Sequence, residues 1–518
     1  MKVESFQVKN FRSFSDTGKI RLKPINLLIG KNSIGKSSFA RIWPLLRQGT
    51  KLEKRSPVVW NGELVDFGSF QETICRYSHD NDEITFIFTL SASAEEIGRV
   101  RAMYRVGRVL RYLNDEEINV EISLVSIRDG MSTTCPKLVV SVGELSFSYS
   151  LNDAGVFTSI TYKKETLQIP EYFKAEPTVG FLLPNNEFFV NDPESSALTP
   201  AYSPMYMQLF DYLRANLHGR IASRKVHEIC MNLNVIGTAD SLLKYCRTLN
   251  YEYNSWRILI DKLSDSRRML GHFHKLVTLA ATGTLISEID FELRSHFGDV
   301  NYIKPLRATA NRYYRRQELS VSNIDSKGEN LPFFLESLPK AKFEKFNDWL
   351  AECLDMKVEV SREHGHVMLR VQDLSTGRTD NIADMGFGYS QVLPLAAQAW
   401  ISAEQASTGR RRITNGSNIL VWEQPELHLH PAMQRKLARL IVKSIGGESN
   451  SRLNFVIETH SQSILNEVGD LMVDGDIASD DVQVLIFEQS KNGDTTIRST
   501  QFDEDGQLID WPIGFLAV

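Results

Sequence analysis

A glycine-rich octapeptide near the N-terminus constrains the fold of this chain more than any other feature. Residues Gly30–Ser37 read GKNSIGKS, follow the apolar run Ile25–Ile29, and lead into a helix-forming stretch from Ser37 to Leu46. A strand, a glycine-rich turn and a helix in this order fit the pattern GxxxxGK[ST], whose glycines let backbone N–H groups surround phosphates. The start of the following helix adds the positive end of its dipole. This segment, called the phosphate loop below, predicts a nucleotide-binding α/β fold.

The motif also predicts what individual loop residues do. Lys36 is expected to reach the β and γ phosphates of ATP, and Ser37 is expected to bind Mg²⁺. The residues expected to bind the nucleotide are Gly30, Asn32, Ser33, Gly35, Lys36, Ser37 and Ser38.

The acidic partner of the phosphate loop is expected far away in the sequence. The strand Asn418–Glu423 reads NILVWE and ends in a carboxylate, and phosphate-loop proteins place the acid on the Mg²⁺ side at such a strand end. A further strand, Leu453–Ile457, leads into the residues ETHS, and His460 within them is expected to sense the γ phosphate. The nucleotide site is therefore predicted to combine residues from the two ends of the chain.

A second anion-binding cradle precedes an apolar helix. Asp384–Gln391 reads DMGFGYSQ, in which two glycines and a serine stand before a helix start. One site already has a phosphate loop, so this segment is predicted to cover the ATP of a second subunit. The residues expected to do so are Gly386, Gly388, Ser390 and Gln391.

Four motifs together carry a family resemblance. GKNSIGKSS, GFGYSQVLPL, WEQPELHLHP and ETHSQSIL resemble the SMC-like ABC ATPases related to the overcoming-lysogenisation-defect class, several of which serve in bacterial anti-phage systems. The resemblance covers roughly residues 1–90 and 300–518. It implies an α/β fold, namely an ABC/SMC-like ATPase head with a phosphate-loop mixed sheet, an antiparallel β subdomain and a helical insertion.

The sequence pattern between the motifs suggests how the chain is divided. Residues 1–200 are expected to form the N-terminal half of the head with a β meander from about Ile84 to Tyr162, because apolar residues alternate there. A linker or an irregular crossing is expected between Pro170 and Pro204, where prolines and small polar residues accumulate. Residues 201–298 are predicted to form a helical insertion, and residues 299–518 the C-terminal half of the head.

The resemblance implies further residues and partners. ATP would be held between the phosphate loop of one subunit and Gly386–Gln391 of another, in a homodimer or a higher even oligomer. Arg12, in NFRSF, stands where this class often contacts nucleotide. Gln71 is a candidate for a glutamine that binds Mg²⁺, although GSFQE is equally compatible with a plain loop.

One residue departs from the pattern of the class. The strand that ends in Glu423 is usually followed by a glutamate that polarises water, but this chain has Gln424. A glutamine orients water but accepts no proton, so the general-base contribution of roughly 10²–10⁴-fold should be largely missing and hydrolysis should be slow. Alternatively, Glu426 acts as the base, or Gln424 and His460 hold the attacking water together.

Composition bears on the location of the protein, on its affinity for nucleic acid and on metal or disulfide sites. The 518 residues carry a net charge of −5, and no apolar run is long enough to span a bilayer, so we expect a cytoplasmic protein without a global affinity for nucleic acid. Basic clusters at 51–55, 312–316 and 410–412 favour a solvated surface over a DNA track. The five cysteines form no CxxC pair and favour reduced, packed thiols. His428 and His430 are spaced for a metal, but the stretch also matches a dimer-contact loop.

These features support one main hypothesis about function and leave rivals open. The main hypothesis is an ATP-binding sensor and scaffold of an anti-phage system that controls a separate nuclease effector and responds to DNA or a phage-derived trigger. A nuclease within the chain is not favoured, because the 58 residues after His460 are fewer than a typical domain of about 100–150. The alternative is a DNA repair or chromosome-maintenance ATPase that clamps duplex DNA. A transporter ATPase is disfavoured because the segment Gly386–Gln391 departs from LSGGQ.

Overall fold

The protein is described here from a computed structural model. The described residues are 2–50, 56–77, 82–91, 117–127, 132–171, 173–177, 182–184, 186–191, 198–249, 251–315, 321–407, 418–446 and 453–509. The basic clusters at 51–55 and 410–412 lie outside these ranges, as does Arg316.

A six-stranded sheet joins the two ends of the chain. Its strand order is β13-β18-β19-β3-β20-β21, and only the last pair is antiparallel. The strands are β3 (Ile25–Gly30), β13 (Val300–Ile303), β18 (Asn418–Glu423), β19 (Leu453–Glu458), β20 (Val482–Gln489) and β21 (Thr495–Thr500). The N-terminal strand β3 therefore lies between two strands that follow it by more than 400 residues, as the motif positions predicted.

This sheet is buried on both faces, which explains the unbroken apolar runs in its strands. All six residues of β3 are buried. Leu28 packs into the core shared with the antiparallel sheet, whereas Leu27 and Ile29 pack into the core shared with the C-terminal helices. The alternation places one hydrophobic core on each face and fixes the strand register.

The N-terminal half also forms an eight-stranded antiparallel sheet. The order is β2-β1-β4-β5-β6-β7-β8-β9, which confirms the predicted meander. The strands are β1 (Lys2–Phe11), β2 (Phe14–Asp16), β4 (Glu83–Ser91), β5 (Glu117–Ile127), β6 (Ser132–Val142), β7 (Leu145–Leu151), β8 (Phe157–Tyr162) and β9 (Glu165–Gln168).

Two predictions for this half were wrong. The expected linker between Pro170 and Pro204 contains a three-stranded antiparallel sheet, β10 (Phe173–Pro177), β11 (Asn186–Asn191) and β12 (Leu198–Ala201). Proline is tolerated there because Pro177 ends a strand and Pro200 lies in the edge strand β12.

The predicted helix from Ser37 to Leu46 is two helices, α1 (Lys36–Ala40) and α2 (Ile42–Thr50). Pro44 has no N–H with which to bond Ala40, so the first helix stops before it. A further short helix, α3 (Phe70–Thr73), follows in the N-terminal half.

The helical insertion has a hydrophobic core of its own. It consists of α4 (Pro204–Asn216), α5 (Ser223–Asn232), α6 (Ala239–Thr248), α7 (Asn254–Asp265) and the start of α8 (Arg267–Gly298). The second half of α8, from Leu279 to Phe297, instead packs in the core of the antiparallel sheet. The packing partner of α8 thus changes near residue 278, about twenty residues before the boundary expected at 298.

The C-terminal half completes the head around the six-stranded sheet. A small sheet contains β14 (Tyr314–Arg315), β15 (Met356–Glu363), β16 (His366–Asp373) and β17 (Thr379–Asn381). The helices are α9 (Leu331–Ser337), α10 (Lys340–Leu354), α11 (Phe387–Ser407), α12 (Pro431–Ile445) and α13 (Gln462–Val473). A 3₁₀ turn, Ser479–Asp481, precedes β20.

Two expectations drawn from composition can be compared with the fold. All five cysteines are buried free thiols, as predicted. Across the described ranges, no helix is both long and apolar enough to cross a membrane.

Candidate functional site

The phosphate loop lies where β3 ends and α1 begins, and two of its glycines are sterically required. Gly30 has φ 147°, and a Cβ there would lie 2.6 Å from the carbonyl oxygen of Phe487 on β20. Gly35 has φ 108°, and a Cβ there would lie 2.2 Å from Oγ of Ser13. Any side chain at these positions would collide with a neighbour and also strain the backbone.

Lys36 is buried against the loop that precedes it. Its Nζ donates hydrogen bonds to the carbonyl oxygens of Gly30, at 3.0 Å, and Lys31, at 2.7 Å. Burial lowers the pKa of the ammonium, while the nearby carboxylates of Glu458 and Glu426 act to raise it. The loop and its lysine thus form one hydrogen-bonded unit.

A cavity of about 500 Å³ opens over the loop. This is within the common size range of small-molecule sites, roughly 300–1,000 Å³. Its walls come from β1, the loop, the segment after α3 and the ends of β18 and β19. The lining residues are Arg12, Ser13, Asn32, Ser33, Gly35, Lys36, Ser37, Ser38, Glu72, Ile74, Arg76, Tyr77, Gln424 and Glu458.

Arg12 is held at the wall of this cavity, and Gln71 is not part of the wall. The Nη2 of Arg12 donates to the carbonyl oxygen of Phe67 at 2.6 Å, and its guanidinium lies 5.2 Å from the centre of the Phe67 ring. Burial lowers the pKa of Arg12. Gln71 is exposed on α3, and its neighbour Glu72 and Arg76 line the cavity instead.

Glu423, the acid expected on the Mg²⁺ side, is fully occupied by protein partners. Its carboxylate is 1% exposed and forms a bidentate pair with Arg41, with both N–O distances at 2.7 Å. The Tyr302 hydroxyl donates to Oε1, also at 2.7 Å. The hydrogen bond to Glu423 raises the pKa of Arg41, and burial raises the pKa of Tyr302. Glu423 is not among the cavity-lining residues.

Glu458, at the end of β19, contacts the phosphate loop directly. The Ser37 hydroxyl donates to its Oε1 at 2.9 Å. Its Oε2 is buried and has no hydrogen-bond partner among the described residues. Burial raises the pKa of this carboxyl to about 7, although the bond from Ser37 opposes the change. Glu458 was not singled out from the sequence. Only its place at the end of an apolar strand, like that of Glu423, could have indicated it.

Gln424 lies beside this carboxylate at the floor of the cavity. Its φ is 43°, a left-handed conformation that is uncommon for a residue other than glycine. Its backbone N–H donates to the carbonyl oxygen of Glu458 at 2.8 Å, so the pairing of β18 with β19 continues past the strand ends.

Glu426 and His460 are linked to each other outside the cavity lining. Oε1 of Glu426 accepts a hydrogen bond from the backbone N–H of His460 at 2.7 Å. Burial raises the pKa of Glu426 and lowers the pKa of His460, and Lys36 also contributes to the second shift. Glu426 therefore connects the loop after β18 to the segment after β19, and neither residue lines the cavity.

The segment Gly386–Gln391 lies at the start of α11, away from the phosphate loop of the same chain. None of its residues lines the cavity over that loop, and Ser390 borders a different cavity of about 730 Å³. Gly386 and Phe387 are exposed, and the Phe387 ring packs edge-on against His428. Gln391 is fully buried.

The two histidines after Glu426 do not converge with other metal-binding side chains. Both are exposed, and Nδ1 of His430 accepts from the backbone N–H of Ala432 at the start of α12. Within the part of the chain that the structure describes, no group of three histidine, cysteine or acidic side chains could hold a metal ion.

Comparisons with known proteins agree with this architecture. The family model described as an AAA ATPase domain matches residues 1–137 and 279–465, and it resumes where α8 enters the core of the head. No curated protein matches the chain.

Solved structures similar to this chain include heads of SMC proteins. The Smc head with a coiled coil and joint from Pyrococcus yayanosii is 10% identical, with a TM-score of 0.35 and coverage of 98% of each chain. The Smc head bound to the C-terminal domain of ScpA, from Pyrococcus furiosus, is 12% identical, with a TM-score of 0.34 and 96% coverage of each chain. The SMC head domain from Thermotoga maritima is 9% identical, with a TM-score of 0.32, and the match covers 96% of this chain and 98% of that one.

The family match extends over more than half of the chain, and both of its segments contribute to the cavity over the phosphate loop. The expected fold class, an ABC/SMC-like ATPase head with an antiparallel β subdomain and a helical insertion, is confirmed. The chain therefore belongs to the AAA ATPase domain family.

Proposed function

We propose that the cavity over the phosphate loop binds ATP with Mg²⁺ and hydrolyses the ATP slowly. The observation that carries the proposal is the meeting of Lys36, Ser37, Gln424 and Glu458 in one cavity, although these residues stand at or after the ends of three separate strands. A lysine for phosphate, a hydroxyl and a buried carboxylate for a cation, and an amide for water are the groups that phosphoryl transfer requires.

The proposed roles follow from the positions of the side chains. Lys36 binds the β and γ phosphates, and Arg12 contacts the nucleotide from the cavity wall. His460, which is near enough to Lys36 for that ammonium to help lower its pKa, senses the γ phosphate. The backbone and hydroxyl groups that surround the phosphates belong to Gly30, Asn32, Ser33, Gly35 and Ser38. The Mg²⁺ ion would neutralise charge on the β and γ phosphates, and the Ser37 hydroxyl beside an orphaned carboxylate oxygen suits such a hard cation.

The slow rate follows from the side chain at the floor of the cavity. Gln424 orients an attacking water through its amide but takes no proton from it. Glu426 does not line the cavity, and one of its oxygens accepts from the backbone of His460, so it does not take over as the base. ATP is consequently held for longer than it would be with a glutamate at residue 424.

We further propose that two subunits enclose the ATP. Gly386–Gln391 lies outside the cavity of its own chain, while Gly386 and Phe387 are exposed at the helix start. These residues are available to cover the phosphates of a second copy, which gives a homodimer or a larger even assembly.

The biological role that suits a slow, ATP-bound assembly is a sensor and scaffold. We propose that the chain belongs to an anti-phage system, responds to DNA or a phage-derived trigger, and controls a nuclease that is a separate chain. This proposal is supported by the resemblance of the four motifs, and it builds on the slow hydrolysis proposed above. The described residues after His460 build α13, β20 and β21 of the head itself.

Mass photometry with and without Mg-ATP, together with the nucleotide retained after desalting and phosphate release, tests the proposal. The expected result is an ATP-loaded even assembly with little phosphate release. Lys36→Ala should remain monomeric, and the exposed substitution Lys225→Ala should behave as the parent. A monomer that retains no ATP would refute the site, and rapid turnover would refute the role of Gln424. Strongly salt-dependent DNA binding that requires ATP would favour a DNA clamp instead.

A further inference from the structure

The two acids at the strand ends are neighbours with different surroundings. Glu423 and Glu458 are register partners on the adjacent parallel strands β18 and β19, and Glu458 is in turn paired with Leu28 on β3. Adjacent strands are about 4.8 Å apart, so Glu458 lies one strand nearer to the phosphate loop. Glu458 therefore meets the start of α1, at Ser37, whereas Glu423 pairs with Arg41 at the end of that helix.

The hydrogen bonds of the two carboxylates also leave Glu458, rather than Glu423, available to a cation. Both oxygens of Glu423 are engaged by Arg41, and Oε1 also accepts from Tyr302. Using Glu423 for a cation would require the bidentate pair to break. Charge-assisted bidentate pairs are among the strongest hydrogen bonds in proteins.

Glu458 has the opposite arrangement. The residue is 2% exposed and lines the cavity, yet only its Oε1 is engaged, by Ser37. Its Oε2 lacks a hydrogen-bond partner among the described residues. A buried carboxylate oxygen without a partner is unfavourable, and a cation bound beside it would remove that cost.

We propose that Glu458, together with Ser37, holds the divalent cation that accompanies the nucleotide, and that Glu423 is a positioning residue held by Arg41 and Tyr302. This inference rests on the proposed ATP site. It assigns the cation-side carboxylate to the strand next to the phosphate loop. Arg41 balances the charge of the second carboxylate, which would otherwise repel the first.

The test compares nucleotide binding with and without the cation, so it does not depend on turnover. A fluorescent ATP analogue is titrated into the full chain in Mg²⁺ and in EDTA, for the parent and for Glu458→Gln and Glu423→Gln. In the parent, Mg²⁺ should strengthen binding at least about tenfold, as expected when a cation ligand is available. Glu458→Gln should lose most of this ratio and keep its affinity in EDTA, whereas Glu423→Gln should keep the ratio.

A matched control and a second readout guard against general damage. Glu467→Gln makes the same change at a buried glutamate that pairs with Arg439 and does not line the cavity, and it should leave the ratio unchanged. Mn²⁺ electron paramagnetic resonance with the same analogue should show bound Mn²⁺ in Glu423→Gln and much less in Glu458→Gln. If Glu458→Gln does not fold, Ser37→Ala takes its place, with the same expected loss.

The outcomes separate this inference from the proposed function. If Glu458→Gln keeps the Mg²⁺ ratio while Glu423→Gln loses it, the assignment is overturned and ATP binding stands. If the parent binds the analogue equally in Mg²⁺ and EDTA, the cation site is overturned, again without affecting ATP binding. If the parent does not bind the analogue under either condition, the proposed function itself fails.

Discussion

Replacing Arg41 by methionine should destabilise the head, because it leaves a buried carboxylate without its charge partner. Glu423 is 1% exposed, and after the substitution only the Tyr302 hydroxyl would remain as a partner. Removing one member of a buried ion pair costs about 3–5 kcal/mol. The Arg41 side chain is 38% exposed, so water can partly solvate the gap, and we expect about 2–3 kcal/mol.

Thermal unfolding followed by fluorescence measures this effect. In domains of 150–250 residues, 1 kcal/mol lowers Tm by about 2–4 °C, so Arg41→Met should lower the head transition by about 5–10 °C. As a matched control, Lys225→Met breaks the 2.8 Å pair with Glu228, in which both side chains are about half exposed. Exposed pairs contribute about 0–1 kcal/mol, so this change should lower Tm by no more than about 4 °C.

A double substitution identifies the cause of the loss. Arg41→Met combined with Glu423→Gln removes both charges and keeps an acceptor for the Tyr302 hydroxyl, so most of the lost stability should return. The reasoning is refuted if Arg41→Met melts with the parent, or if the double variant is as unstable as the sum of the two single variants.

Three further changes test other parts of the molecule. Gly35→Ala should weaken ATP binding at least about tenfold in the titration, because its Cβ would lie 2.2 Å from Ser13 Oγ at φ 108°; Gly365→Ala, also at positive φ but with open space around it, should not. Gln424→Glu should raise steady-state phosphate release by up to about 10²-fold, and an unchanged rate would count against the missing base. Burial lowers the pKa of His296 from about 6.5 in the unfolded chain to about 4. The buried imidazole is therefore neutral at no cost above about pH 6.5, and the free energy of unfolding decreases as the pH falls from there towards 4. Between pH 7 and 5 the parent should lose about 2 kcal/mol more than His296→Phe in denaturant unfolding, and equal losses would contradict this assignment.

Local patterns predicted the elements that need no distant partner. The phosphate loop was recognisable because its signals lie within a dozen consecutive residues. These signals are the two glycines, Gly30 and Gly35, which no other residue can replace, and the buried apolar strand β3. The meander was recognisable because one buried and one solvated face impose alternation along each strand. The break between α1 and α2 also has a local cause, since Pro44 has no N–H to donate to Ala40. The helical pattern from Ser37 to Leu46 nevertheless predicted a single helix.

Composition was misleading where the chain is rich in proline. The stretch between Pro170 and Pro204 was interpreted as a linker, yet three short strands pair there. A strand end and an edge strand tolerate proline, because an edge leaves one row of N–H groups unpaired. Which strand becomes an edge depends on its neighbours, so the residues alone could not reveal it.

The sequence by itself determined that an apolar strand, a glycine-rich loop with Lys36 and Ser37, a later strand ending in Glu423 and a further strand leading to His460 belong to one ATPase head. Only the tertiary structure decided which acid meets the loop. Both Glu423 and Glu458 end buried strands, and nothing in either segment distinguishes them. Their roles diverge because the sheet places β19 beside β3 and because Arg41 folds back onto Glu423. Strand order arises from packing among segments more than 400 residues apart, and such contacts leave no local signature.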